Sequence, residues 1–225
     1  DYPVIAGVNA GAVIEFSSYE GPTCRLSGLI ITQGRGDLAS AIRCARSSPT
    51  IANCLIVGNR ATDPNGATIH CTDGKATFVN CTIADNIAGQ GSATMVVRGG
   101  HVTLLNSIIR DVAPVQVRTF GDGLISVSYT NVSGGLTVPT TVIDAGPGNL
   151  DADPLFVRHG RWVTRDDYDV AAEPDDPTAV WIAGDYHLRS RGGRWDPEAG
   201  DWVLDDVTSP CMDAGDPAMP AGEEP

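Results

Sequence analysis

The chain has 225 residues, of which 42% are hydrophobic and 19% charged, with 26 glycines and 15 prolines. That mix suits strands and turns better than helices and is enough for a sizeable core. A net charge of −13 opposes binding to a polyanionic duplex, and no run of roughly 20 apolar residues exists to span a membrane as a helix.

The chain opens on DYPVIAGVNAG, with no methionine and no basic-then-apolar leader. From there to residue 157, short Val/Ile/Thr/Leu segments alternate with Gly, Asn, Asp, Ser and Pro, the pattern of strands joined by turns. A repeat runs through them. Gly28, Cys54, Cys81, Ser107 and Thr130 recur at intervals of 26, 27, 26 and 23 residues. Cys44, Cys71 and Val97 form a second column, and Ile42, Ile69 and Met95 a third. Ile30, Ile56, Ile83, Ile109 and Val132 form a fourth, and Ile51, Phe78, Leu104 and Val127 a fifth. Units this short hold about three strands and no helix, so the chain closes its sheets by coiling. Each strand then pairs with its counterpart one turn on, about 4.8 Å away. The expected fold is all-β, a right-handed parallel β-helix of about five to six rungs over residues 1–157.

Within a strand, alternation points Ile42, Cys44, Ile69 and Cys71 inward and Arg43 and His70 outward. Asn53, Asn80 and Asn106 fall at a tight bend, where an amide can bond its equivalents above and below; they are expected to form a structural ladder. Cys44 over Cys71, and Cys54 over Cys81, read as small apolar residues of the same stack. Parallel Cβ vectors suit a disulfide poorly, so free thiols are expected. No Cys-x-x-Cys occurs, and no histidine stands at zinc-site spacing from a cysteine pair.

The outward column comprises Glu15, Arg43, His70 and Val96, continued by Gln116 or Arg118, with Lys75 and Arg98 in the turns that follow. A polysaccharide lyase needs a base beside a uronate carboxylate and a cation or Ca²⁺ to neutralise it, which Arg43, His70, Lys75 and Arg98 could supply. The plainer reading is a polar surface with a Glu15–Arg43 ion pair of small worth. Catalytic residues stay unassigned. Hydrolysis needs two convergent carboxylates, but the acids crowd into RDDYDVAAEPDDP, WDPEAGDW and VLDDV, which read as loops. No cofactor is implied. Clustered carboxylates leave Ca²⁺ open, although no EF-hand loop is present.

Residues 158–225 read as an irregular extension that caps the solenoid. All four tryptophans lie there: Trp162, Trp181, Trp195 and Trp202, with Tyr168 and Tyr186. RWDPEAGDWV reads as a hairpin with a tryptophan on each arm. The aromatics fit either a small core covering an open edge or a platform on which sugars stack.

The units SSPTIANCLIVGNRA, GKATFVNCTIADNIAG, VTLLNSIIRD and LISVSYTNVSGG resemble bacterial right-handed parallel β-helix proteins of the pectin-lyase-like superfamily, close to the polymorphic-outer-membrane-protein type of repeat. GNLDADPLFV and SPCMDAGDPA look like the C-terminal signature of the same extracellular proteins. The resemblance implies a module of a secreted or cell-surface protein that binds carbohydrate or serves structural display. The alternative it implies is a lyase or hydrolase acting on an acidic polysaccharide along one sheet's outer face. The turns GDLAS, PNGA and GQGSA depart from the Gly-rich stretch usual before a unit's first strand. The mid-rung start and the stop at AGEEP imply flanking regions in a longer parent protein.

Overall fold

The computed structural model describes residues 2–7, 11–113, 115–139, 141–173, 176 and 178–219, and among these there is no helix. The chain divides into two units, Asp1–Asp151 with Asp216–Pro225, and Ala152–Gly215. The second unit begins before the expected boundary at 157/158 because Phe156–Arg158 already pairs antiparallel with Asp185–Leu188. The DAGDP segment returns to the first unit, where Asn106 Oδ1 accepts the Asp216 N–H at 2.8 Å.

The first unit is a parallel β-solenoid of about five turns. Three sheets run along it. Sheet A stacks Val4–Ala6, Ile30–Thr32, Leu55–Val57, Thr82–Ile87, Ile108–Val112 and Asn131–Val132. Sheet B stacks Ile14–Phe16, Ala39–Ala45, Ala67–Gly74, the start of Met95–Leu105, and Val117–Phe120. Sheet C stacks Arg25–Ser27, Thr50–Ala52, Thr77–Val79, the end of Met95–Leu105, Leu124–Ser128 and Ile143–Ala145. Inside, side chains lie on their own equivalents: Ile42 on Ile69 on Met95, and Ile51 on Phe78 on Leu104 on Val127. All seven are fully buried.

The first rung sits one residue away from the expected alignment. Ser27 pairs with Ala52 and Ile30 with Leu55. Gly28 therefore stands over Asn53 rather than Cys54, and Ile31, not Ile30, fills the core over Ile56. The cause is the bend. Gly28, Asn53, Asn80, Asn106 and Tyr129 all have positive φ, between 48° and 68°. That left-handed conformation is open to glycine and tolerated by asparagine, so what the column conserves along the stack is a backbone angle.

The amide ladder expected at these asparagines does not include Asn53 or an Asn106 free to stack on its equivalents. Asn53 Oδ1 is buried without a hydrogen-bond partner, Asn106 is spent on Asp216, and the fourth position is a tyrosine. The ladder stands instead at the turn after sheet A. Asn59 Oδ1 accepts the Gly34 N–H, and Asn86 Oδ1 accepts both the Asn59 N–H and its Nδ2, each at 2.9 Å. Both amides are fully buried, and their donors and acceptors are satisfied in the manner burial demands. The corner between sheets B and C is made by closeness: a side chain at Gly74 would strike the Ser47 carbonyl, and one at Gly100 the backbone of Gly74.

All six cysteines are free thiols, with Cys44, Cys54, Cys71 and Cys81 buried and Cys24 and Cys211 partly exposed. The hydrogen bond with Cys44, together with burial, holds Cys71 well above its ordinary value, and burial does the same for Cys81. The Cys81 thiol pulls Cys54 down to about 7, yet Cys54 is only 3% exposed, so reagent access rather than ionisation governs it. A thiol titration of the native protein is expected to label Cys24 and Cys211 promptly and to reach the other four only on unfolding. Prompt labelling of Cys54 or Cys81 would break this assignment.

Candidate functional site

Sheet B carries the outward column in the expected order. Glu15 pairs with Arg43, Arg43 with His70, His70 with Val96 and Val96 with Arg118. Arg43 Nη1 donates to Glu15 Oε1 at 2.5 Å, and both side chains are substantially exposed. His70 is not exposed. It retains 3% of its surface, its Nδ1 meets Thr72 Oγ1 at 3.3 Å, and its Nε2 is buried with no partner. Val96 is equally buried and packs in a small cluster with Ala67 and Ala93. Two rungs from His70, Arg118 Nη1 donates to the Gly91 carbonyl at 2.6 Å, tying its side chain to the loop that leads into Ala93. Lys75 and Arg98 are exposed, and Arg98 lies 4.2 Å over the Phe120 ring. Glu15, Arg43, His70, Val96 and Arg118 thus form one column along sheet B, but the imidazole at its centre is enclosed.

Burial holds His70 down to about 4, with Arg98 and Arg43 adding to the effect. A base of that strength, without water access, is neutral at physiological pH and closed to a substrate proton.

The corner after sheet B holds residues the sequence reading did not single out. A side chain at Gly99 would collide with Asp73 Oδ1 and come within 3.2 Å of Asp122 Oδ1, so the missing Cβ lets two carboxylates approach from neighbouring rungs. Beside them lie the Arg98–Phe120 contact and, on the rung before, Arg46 at 5.3 Å over Tyr19. All six of these side chains are exposed. The signal was available in the 26-residue register, in which positions 46, 73 and 99 are equivalent, but Asp122 follows an irregular step.

The amide ladder also has a continuation that spacing could have revealed, through Asn59, Asn86 and Asp111 in IVGNRA, IADNIAG and IIRDVAP. Asp111 Oδ1 accepts the Asn86 N–H and Nδ2, each at 3.0 Å. Gln116 Oε1 accepts the Asp111 N–H at 3.0 Å and the Thr94 hydroxyl at 3.1 Å. Gln116 is thereby a ladder residue, and Arg118 continues the outward column. Burial pushes the Asp111 carboxyl up to about 6 against the hydrogen bonds from Asn86, and Asp85 adds to the rise.

In the second unit the four tryptophans separate into two pairs. Trp162 and Trp181 oppose each other in the hairpin of Arg161–Thr164 with Ala179–Ile182, ring centroids 5.4 Å apart. Trp181 is 7% exposed, and Phe156 meets Tyr186 edge-on at 5.2 Å. These belong to a small core. Trp195 and Trp202 oppose each other across Arg194–Asp196 and Asp201–Val203, exposed by 45% and 68%. Trp202 Cε3 lies 3.5 Å from where a Gly193 Cβ would be, so the indole rests on glycine backbone. On the alternate face Arg194 is largely buried; its Nε donates to Asp205 at 3.0 Å, with Asp196 at 3.8 Å and Asp185 at 4.0 Å. Among the described residues, no group of three or more His, Cys, Asp or Glu side chains is placed to hold a metal, and no helix is long and apolar enough to cross a membrane.

The two shifted groups of the solenoid act on stability in opposite directions. Unfolded His70 takes a proton near its ordinary value while folded His70 stays neutral to about 4, so acidification from 6.5 to 4 favours unfolding. Folded Asp111 takes its proton near 6 and unfolded Asp111 lower, so acidification from 6 to 4 favours folding. Over that window the two contributions oppose each other. Urea unfolding of Asp111→Asn is expected to show stability falling by up to about 3 kcal/mol from pH 6.5 to 4, and of His70→Val to show a rise of similar size. Parallel profiles for the two variants would refute the compensation.

Comparison with protein-family models, with curated proteins and with solved structures finds no match to this chain.

Proposed function

We propose that the chain is a β-solenoid module of a secreted or cell-surface bacterial protein, of the pectin-lyase-like kind with polymorphic-outer-membrane-type repeats, and that it binds carbohydrate through the Trp195/Trp202 face. The observation that carries this reading is the exposure of two opposed indoles on a short ribbon whose other face is held by Arg194 and its carboxylates. Leaving a large aromatic ring in water forgoes on the order of 2 kcal/mol of burial. Rings kept in that state on a rigid support suit the apolar faces of sugars, which stack on them while the indole N–H and neighbouring polar groups meet hydroxyls. The enclosure of His70 counts against a lyase working at the Arg43/His70 face, since that column then offers no accessible histidine base.

A second reading rests on Asp73 and Asp122, whose carboxylates both flank Gly99, and takes them as the acid and base of a glycoside hydrolase. It expects release of reducing ends from a polysaccharide panel and their disappearance in Asp73→Asn.

On a glycan array the binding reading expects retention with Arg43→Ala and a loss of affinity of about five- to thirtyfold with Trp202→Ala or Trp195→Ala, since one aromatic stacking contact is worth roughly 1–2 kcal/mol. Binding unchanged in both tryptophan variants would sink it.

A further inference from the structure

The outer side of sheet C carries polar side chains that the carbohydrate reading does not use. One outward column there runs Arg25, Thr50, Thr77, Thr103, Ser126 and Asp144, each in register with the next. A run of threonines is what a half-buried strand face favours. After Thr103 the secondary alcohol gives way to the primary alcohol of Ser126, which is less hindered.

The surroundings change at the same rung. His101 stands two residues before Thr103, on the same face of its strand. Its Nε2 lies 2.8 Å from Ser126 Oγ. From the rung beyond, Asp144 Oδ2 lies 3.3 Å from the same oxygen. His101, Thr103 and Ser126 are partly exposed and Asp144 is exposed, so this imidazole reaches solvent where His70 does not.

A serine hydroxyl is a weak nucleophile until a base within hydrogen-bond reach takes its proton. The His101 contact is within that reach. With the imidazole proton on Nδ1, the Nε2 lone pair accepts from Oγ–H. The hydroxyl has one proton, and the shorter contact assigns it to His101. Asp144 then leaves a fixed negative charge near the imidazolium that forms. Thr103, in register with Ser126 and about 4.8 Å away across the rung, presents a hydroxyl donor beside the nucleophile.

We infer that Ser126 and His101 are the nucleophile and base of an esterase site on sheet C, which removes acetyl groups from a polysaccharide. A shallow sheet face admits a long polymer and gives little to grip a long acyl chain, so a small acyl group fits. Oγ bonds to the acyl carbon as its proton passes to His101 Nε2, and the Thr103 hydroxyl donates to the carbonyl oxygen as that oxygen gains charge. The ester C–O bond breaks, and the sugar hydroxyl leaves with the proton from Nε2. Water then attacks the acyl-serine and gives a proton to Nε2, which returns it to Ser126 Oγ as acetic acid leaves. The sum is ester and water to alcohol and acid. This goes beyond the carbohydrate-binding reading and does not depend on the tryptophans.

The test uses the whole chain with a fluorophosphonate probe and with acetylated xylan. Peptide mapping is expected to place the probe on Ser126. Acetate release is expected to fall about a hundredfold or more in Ser126→Ala and in His101→Gln. Ser126→Thr, which extends the threonine column, is expected to melt as the parent does and to take up the probe more slowly. Thermal melts of the other two variants establish that they fold. Release that survives in Ser126→Ala overturns the inference, and so does a native chain that neither takes the probe nor releases acetate. Glycan binding through Trp195 and Trp202 stands or falls separately, on the array.

Discussion

The structure depends on in-register parallel stacking. Each turn of the solenoid places every residue about 4.8 Å from its own equivalent, so a residue is selected largely by what it does to copies of its own position. Apolar columns gain, because Ile on Ile or Leu on Phe excludes water without a change of geometry. Identical charges lose, and the exposed side of sheet B shows the remedy in Glu15 over Arg43. Amides are the polar groups that stack best on themselves, since each carries a donor and an acceptor. Asn59 and Asn86 use that property in the buried turn.

The same constraint explains how far the sequence could be read. The period, the three strands per unit and the inward columns from Cys44 onward were legible, because stacking forces like residues to recur. The first rung was misaligned by one because the bend there is a glycine. It was matched by residue type to the small residue after the bend, when its φ matches the asparagine before it. The ladder at Asn59 and Asn86 was passed over for a related reason. Asn53, Asn80 and Asn106 recur for their backbone angle, and recurrence alone does not separate a conformational demand from a hydrogen-bonding one. The ladder's continuation into Asp111 and Gln116 was hidden by a change of residue type and by a shorter turn.

Site geometry was less legible than fold, since it lives in the loops between columns. Alternation put His70 in the column that faces away from the core stack, yet that is not the same as exposed: His70 is 3% exposed and Val96 packs with Ala67 and Ala93. The carboxylates over Gly99 came together through the absence of a side chain, which no listing of acidic residues reveals. Among the tryptophans, hairpin pairing was foreseeable for RWDPEAGDWV. The division into a buried pair and an exposed pair depends on which arm faces Phe156 and Tyr186, and that is settled by tertiary packing.

The buried ladder has a direction. Asn59 Nδ2 donates to Asn86 Oδ1, and Asn86 Nδ2 donates to Asp111 Oδ1. An ionised carboxylate has no hydrogen to hand on, so Asp111 is a terminator: the relay of side-chain donors stops at its rung, and Gln116 from the same turn closes over its backbone N–H. A ladder made only of asparagines has no internal reason to stop. One oxygen in place of one NH₂ gives this ladder of side-chain amides its end.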